Sequence, residues 1–412
     1  MIDKSLRERC RINTNYESDT FVGIKATKDD ISVSFPIGYR LGDGDSELRK
    51  DILLLMSVLS RNTEKKLSEI DSADRKTETA LPIYSYLYVI SDYFTRGYYR
   101  ETETINKSAK RGKINWSKTV KTQRPYIDNE SIFYLEFVTR RQNVNENELI
   151  TLIHEFCVYI SFEALGWLFT SFKPKRPRLK WNKVLFSNIV KKKLSETFND
   201  RNRQLFLNLL AVIEATGDDD APKDYKYGTN DFEYIWESMI DKAYGVQNKS
   251  RFFPSTRWQL NNEEHENSYL RPDVVMVRNG KIYVLDAKYY KFGNTGRAGD
   301  LPDSSDINKQ ITYGEYIAEN DTFCNLNGER PKVFNAFIMP YDSFGKVFHT
   351  RESIHYIGNA ISDWKSSDGT KAYERIAGVL LDVKSLMLDY SHDNNRINEL
   401  ADLIESHVSG II

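Results

Sequence analysis

The sequence predicts a mixed α/β protein, α+β or α/β, in which the C-terminal half holds a mixed sheet flanked by helices. Three observations carry that reading. RPDVVMVRNGKIYVLDAKYY, residues 271–290, is two β-rich runs joined at Asn279-Gly280, a two-residue hairpin signal. Apolar residues at helical spacing flank it, in DFEYIWESMIDKAYG before and SSDINKQITYGEYIAEN after. KVFNAFIMP then reads as a fully buried strand, and the order helix, hairpin, helix, strand describes a sheet covered by helices.

In chain order, TFVGIKA and ISVSFPIGY alternate apolar and polar residues around the turn-prone residues 28–30, which predicts a hairpin. LRKDILLLMSVLSR and LPIYSYLYVISDYF carry helical spacing. GKINWSKTV and SIFYLEFVTRR are expected as strands, and ELITLIHEFCVYISFEALGWLF as a long helix. A basic stretch with Pro174 and Pro177 follows, then helix through QLFLNLLAVIEAT. Residues 217–231 are polar, acidic and rich in helix breakers, which places a domain boundary there. The expected division is residues 1–216, a DNA-binding or partner-docking region, and residues 217–412, the domain that carries the chemistry. Asp303 or Ser304 is available to cap the helix after the hairpin, and the helix before it should end at Gly245.

Composition narrows the class. Of 412 residues 40% are hydrophobic and 28% charged, as in ordinary globular domains. No apolar run is expected to cross a bilayer, and MIDKSLRERCRINTN lacks the apolar stretch of a secretory signal. Three scattered cysteines suit reduced thiols, so a cytoplasmic protein with no membrane association is expected. The net charge of −1 conceals local asymmetry: between Lys173 and Arg203 eleven Lys or Arg face two acids. A second basic stretch, Arg96 to Arg124, has Trp116 and tyrosines nearby. Such patches attract phosphate backbones, although a solvated basic face has the same composition.

The chemistry concentrates between Glu237 and Lys288. Side chains alternate along a strand, so Asp286 and Lys288 project from one side while Ala287 points into packing. The hairpin lays Asp273, after Pro272, beside that strand end. Two carboxylates and a lysine suit a hard divalent cation, because Mg²⁺ takes oxygen ligands and keeps several waters. Such an ion acidifies a bound water and offsets charge on a phosphate, and Lys288 would orient that water or steady the phosphoryl oxygens. Mg²⁺ is therefore the expected cofactor, with Mn²⁺ as a substitute.

Pro272-Asp273 followed by Asp286-Ala287-Lys288 resembles the signature of the PD-(D/E)XK phosphodiesterase superfamily. The resemblance implies a restriction-endonuclease-like core in the C-terminal half and a further acid on the preceding helix, for which Glu237 is the candidate and Glu233 the alternate. It also implies a Gln and a Tyr on the helix after the hairpin. Gln310 and Tyr313 are three apart and share a face, where relatives more often space the pair by four. Across most of the chain FVGIKATKDDISVSFPIGYRL, LRKDILLL, GKINWSKTV, YGTNDFEYIWESM and DINKQITYGEY resemble the LlaJI family of restriction endonucleases and, more distantly, the nuclease subunit of McrBC-type systems. That resemblance implies cleavage of double-stranded DNA at a specific sequence, 5′-phosphate and 3′-hydroxyl ends, a defence role, and a cognate cytosine methyltransferase. It also implies a homodimer or other restriction subunits, among them an McrB-like NTPase. Lys173, Lys175, Arg176, Arg178 and Lys180, with Arg271, Lys291 and Arg297 beside the hairpin and Tyr313, are the candidate DNA contacts.

Other classes fall away. No GxxxxGK[ST] loop is present, so an NTP motor would be another polypeptide, and there is no GxSxG nucleophile. His154, on an apolar helix, reads as a core histidine, and His349 and His355 lack partners at zinc-site spacing. Two alternatives stay open on the residues alone: a repair nuclease acting on ends or branches, and a non-catalytic DNA-binding subunit.

Overall fold

The structure is a computed structural model that describes residues 5–27, 30–69, 83–128, 131–145, 148–170, 172–217, 225–260, 263–267, 269–325, 327–363 and 371–408. Its chain forms two units, one made of Met1–Glu78 with Lys226–Ile412 and the other of Thr79–Tyr225. The expected division at 216/217 therefore differs from the observed one, because the first 78 residues group with the C-terminal half. Hydrogen bonds account for this. Asn15 Nδ2 donates to Tyr289 O at 3.0 Å, Tyr289 Oη accepts the Ile37 N–H at 2.8 Å, and Lys384 pairs with Asp51 at 2.7 Å.

The central sheet of the first unit has five strands in the order Val274–Arg278, Lys281–Ala287, Val333–Tyr341, Ile376–Asp382, Ile354–Ala360. The outer pairings are antiparallel and the inner two parallel, so the sheet is mixed. Asn279 and Gly280 take φ of 51° and 75°, the left-handed pair that an AsnGly hairpin turn requires. Ile282 and Val284 meet Ile311, Tyr313 and Ile317 of the Ser304–Glu319 helix in one core cluster. Tyr283, pointing the other way, bonds Glu405 on the Asn394–Val408 helix, so helices cover both faces. The first face packs closely: a Cβ on Gly314 would lie 2.6 Å from Asn335 Nδ2, and that amide donates to Gln310 O at 2.9 Å and Tyr373 O at 2.6 Å.

A second sheet of this unit orders Cys10–Ile12, Ile31–Phe35, Val22–Ala26 and Tyr225–Thr229. The predicted hairpin is the antiparallel pair at its centre; residues 28 and 29 of its turn lie outside the described residues. Val22–Ala26 and the last strand touch backbone to backbone, since a Cβ on Gly23 would sit 2.1 Å from Tyr227 O.

In the second unit, helices Ile83–Arg96, Leu149–Leu165, Lys183–Glu196 and Asp200–Ala215 accompany a three-stranded sheet, Glu101–Ala109, Phe137–Asn145 and Lys113–Ile114. GKINWSKTV is a strand only at its start. Asn115 caps a turn by accepting the Lys118 N–H, and Trp116–Thr122 is helical. SIFYLEFVTRR likewise splits, into Ser131–Phe133 and the beginning of Phe137–Asn145. Leu149–Leu168 is, contrary to expectation, long and apolar enough to cross a membrane, and it is mostly buried inside the protein. Ile150, Ile153, Phe156, Cys157 and Ile160 are all enclosed, so the helix is apolar because it is surrounded. His154 is buried there with Nδ1 accepting the Tyr99 N–H at 2.7 Å; burial, with Arg96 nearby, lowers its pKa to about 3.

Candidate active site

Local rules bring Asp273, Asp286 and Lys288 together. The hairpin pairs Val274 with Leu285, which leaves Asp273 and Asp286 as the next residues out. Asp273 Oδ2 accepts the Ala287 N–H at 3.0 Å, fixing the first carboxylate against the end of the second strand. Behind it, Lys249 Nζ donates to Asp273 O at 2.7 Å and pairs with Asp241 at 3.0 Å, tethering the backbone where the chain enters the sheet. Lys288 Nζ lies 3.0 Å from Asp286 Oδ2, confirming that positions 286 and 288 share a side.

These groups line a cleft of about 690 Å³, together with Glu233, Glu237, Asp231, Asp300, Lys291, Lys309 and, from the N-terminal segment, Asn15 and Thr20. Burial pushes the Asp273 carboxyl from its ordinary 3.8 up to about 8, and its hydrogen bond and repulsion with Asp286 and the charge of Glu237 push the same way. Asp273 is thus the carboxyl that keeps its proton at neutral pH. Asp286 Oδ2 is buried, and the cation it meets is Lys288 Nζ at 3.0 Å. A divalent cation would replace the Asp273 proton and offset both carboxylates where they face the cleft, so the residues present fit one. Among the described residues no three acidic, His or Cys side chains form a complete metal cage. Two carboxylates with water suffice for Mg²⁺. Glu237 lines the cleft without completing such a cage with Asp273 and Asp286.

Burial alone would lower the Lys288 pKa, but Asp286 and Asp306 outweigh it and hold the ammonium above the ordinary lysine value. Asp306 Oδ1 is 2.7 Å from Lys288 Nζ, and Asp306 Oδ2 accepts from Tyr290 Oη at 2.9 Å. Asp303 caps this helix, accepting the Ser305 and Asp306 N–H groups at 2.8 and 3.1 Å, so Asp306 sits on a fixed backbone. Sequence reasoning missed Asp306, Tyr290, Lys249, Asn15, Thr20 and Lys309. For Asp306 the available signal was its position in the first turn of a capped helix that follows an acid-x-Lys strand.

Gln310 and Tyr313 do share a face, and both are buried. The Gln310 amide donates to Val284 O at 2.7 Å and Tyr313 Oη to Arg271 O at 3.3 Å, so each braces the hairpin from behind, and neither lines the cleft. Burial raises the Tyr313 pKa to about 12, with the charges of Asp273 and Asp286 adding to it. Lys291 lines the cleft with its ammonium 3.7 Å above the Tyr16 ring. Arg271 and Arg297 are exposed and lie outside the cleft lining. Lys173, Lys175, Arg176, Arg178 and Lys180 are exposed in an irregular segment of the second unit.

A family model described as LlaJI restriction endonuclease matches residues 21–394. The Type II restriction enzyme BsuMI component YdjA of Bacillus subtilis (strain 168) is 24% identical over 281 residues, 63% of this chain and 58% of that protein, so the match spans little more than half of the relative's length. A solved McrB–McrC half-complex of Thermococcus gammatolerans aligns over 93% of this chain and 83% of that one, at 14% identity and a TM-score of 0.32.

Proposed function

The chain belongs to the LlaJI restriction endonuclease family, and from that premise we propose that it is the Mg²⁺-dependent cutting subunit of a restriction system, hydrolysing phosphodiester bonds of double-stranded DNA at a specific sequence. One observation supports this above the rest: two carboxyls, those of half-buried Asp273 and buried Asp286, stand beside a doubly paired lysine, at the end of a sheet and open to a cleft. In this reading the core is of the PD-(D/E)XK type. Asp273 and Asp286 hold the ion, and Glu237 adds negative charge across the cleft. Mg²⁺, or Mn²⁺ in its place, would supply an acidified water and a counter-charge for the phosphate.

The protein's own groups do the remaining work. Lys288, held by Asp286 on one side and Asp306 on the other, orients a water and donates to the phosphoryl oxygens as charge builds there. Lys291 and Lys309 give the acidic cleft a cationic lip for the DNA backbone. One site per chain cuts one strand, so a double-strand break calls for a second copy or sequential nicking. The relative is named a component of a restriction enzyme, which favours assembly with further subunits.

The test is plasmid cleavage in Mg²⁺ with Asp286→Ala beside the unaltered chain and any companion subunits. Cutting falls by about three orders of magnitude or more if Asp286 holds the ion, in line with the contribution of metal and electrostatic catalysis. Undiminished cutting by the variant places the chemistry elsewhere. If the unaltered chain binds DNA tightly yet never cuts, the non-catalytic binding-subunit reading replaces this one.

A further inference from the structure

A small ribbon in the second unit has no use in the site above. Tyr126–Asp128 and Ser131–Phe133 form a two-stranded sheet of their own. Their register sets Tyr126 opposite Phe133 and Ile127 opposite Ile132. Successive strand residues face opposite ways, so one face carries the aromatic pair and the other the isoleucine pair. Both faces are bare: Tyr126 and Phe133 are each 53% exposed, Ile127 76% and Ile132 63%. A lone two-stranded ribbon is marginal in water, and apolar side chains this open mark a contact surface.

Charge identifies the partner. Residues 106–140 contain eight Lys or Arg and three Asp or Glu. Arg111, Lys113, Lys118, Lys121 and Arg124 are all exposed, and Arg124 stands two residues before Tyr126. Trp116, 57% exposed, opens the short helix that carries Lys118 and Lys121. Exposed cations close in the chain to exposed apolar side chains suit a phosphate backbone with base steps between its strands.

We propose that the ribbon of Tyr126–Asp128 and Ser131–Phe133 is a wedge for duplex DNA, its apolar pairs entering a groove against base steps while Lys118, Lys121 and Arg124 neutralise flanking phosphates. This deepens the nuclease reading, on which its choice of duplex rests, by naming where the substrate is held.

The experiment uses the full chain carrying Asp286→Ala, so that binding is read without cutting, and a fluorescent mixed-sequence duplex of about 40 base pairs titrated at several salt concentrations. Ile127→Ser/Ile132→Ser weakens binding about ten-fold or more and leaves the salt dependence unchanged. Lys121→Ala/Arg124→Ala also weakens it, and lowers the slope of log affinity against log salt by about 2, near one unit per lost phosphate contact. All four positions are exposed, and thermal melts matching the parent's confirm that the variants fold. Both double variants binding within two-fold of the parent overturns the wedge. So does an Ile127→Ser/Ile132→Ser chain that binds DNA normally but changes its sedimentation, since the ribbon then docks protein. The two readings fail separately. Ribbon variants that cut and bind like the parent, with Asp286 restored, sink the wedge alone. Weakened binding by them, beside an unaltered chain that never cuts, sinks the nuclease alone.

Discussion

Asp273 is where the physics of single residues is sharpest. Its pKa is raised to about 8 in the folded chain, first by burial and then by Asp286. A carboxyl whose folded pKa is raised stabilises the fold fully below its unfolded value and loses that contribution as pH rises through the folded one. The metal-free protein should therefore lose stability between about pH 4 and pH 8 relative to Asp273→Asn, which keeps the shape without the charge. Melting temperatures of the pair, recorded against pH without divalent ions, check this; parallel curves refute the raised Asp273 pKa. The same proton must leave when an ion enters. Calorimetry in buffers of different ionisation enthalpy should show proton release on Mg²⁺ addition at pH 7, fading above about pH 8 to 9 as Asp273 is already ionised. Asp306 acts through Lys288, which it holds at 2.7 Å. Asp306→Ala should lower kcat by about 10- to 100-fold, the usual effect of losing a supporting shell, with DNA affinity little changed. An unchanged kcat would leave Lys288 adequately held by Asp286 alone.

Among elements, the AsnGly hairpin and the strand crossing at Gly23 separate two kinds of glycine. A Cβ on Gly280 meets nothing within 4 Å, so Gly280→Ala carries only the left-handed backbone cost, about 1 kcal/mol. A Cβ on Gly23 would lie 2.1 Å from a backbone oxygen that cannot step aside. Gly23→Ala should cost several times more, and denaturant midpoints of the two variants order them; equal midpoints would mean that the N-terminal sheet can splay. The elements also show where pattern reading works. The 274–287 hairpin, the cap at Asp303, and the helix that stops at Gly245 follow from turn and cap chemistry within a few residues of one another. GKINWSKTV went partly astray because the cap at Asn115 turned most of it into helix. Leu149–Leu165 is apolar all round because other helices enclose it, an environment that periodicity within one segment does not display.

For the whole molecule, the proposed ion should affect the two units differently. Mg²⁺ at 100 times its Kd should add about 2.7 kcal/mol to the unit that binds it. Hydrogen exchange in Val274–Arg278 and Lys281–Ala287 should slow while the Leu149–Leu165 helix is unaffected. Slowing of both would mean that the units open as one. Residues 1–78 entering the unit of the C-terminal half is the largest departure from expectation. It rests on bonds such as Asn15 to Tyr289, spanning 274 positions, for which no local pattern exists. By itself the sequence determined the hairpin, the spacing of Asp273, Asp286 and Lys288, and the capped helix, because turns, strand alternation and caps act over a few neighbouring residues. Tertiary structure alone decided that Asp306 grips Lys288, that Gln310 and Tyr313 brace the hairpin instead of facing the cleft, and that the N-terminal segment supplies part of its wall. Those outcomes depend on which distant surfaces pack together, and packing selects partners through shape and burial that chain order does not record.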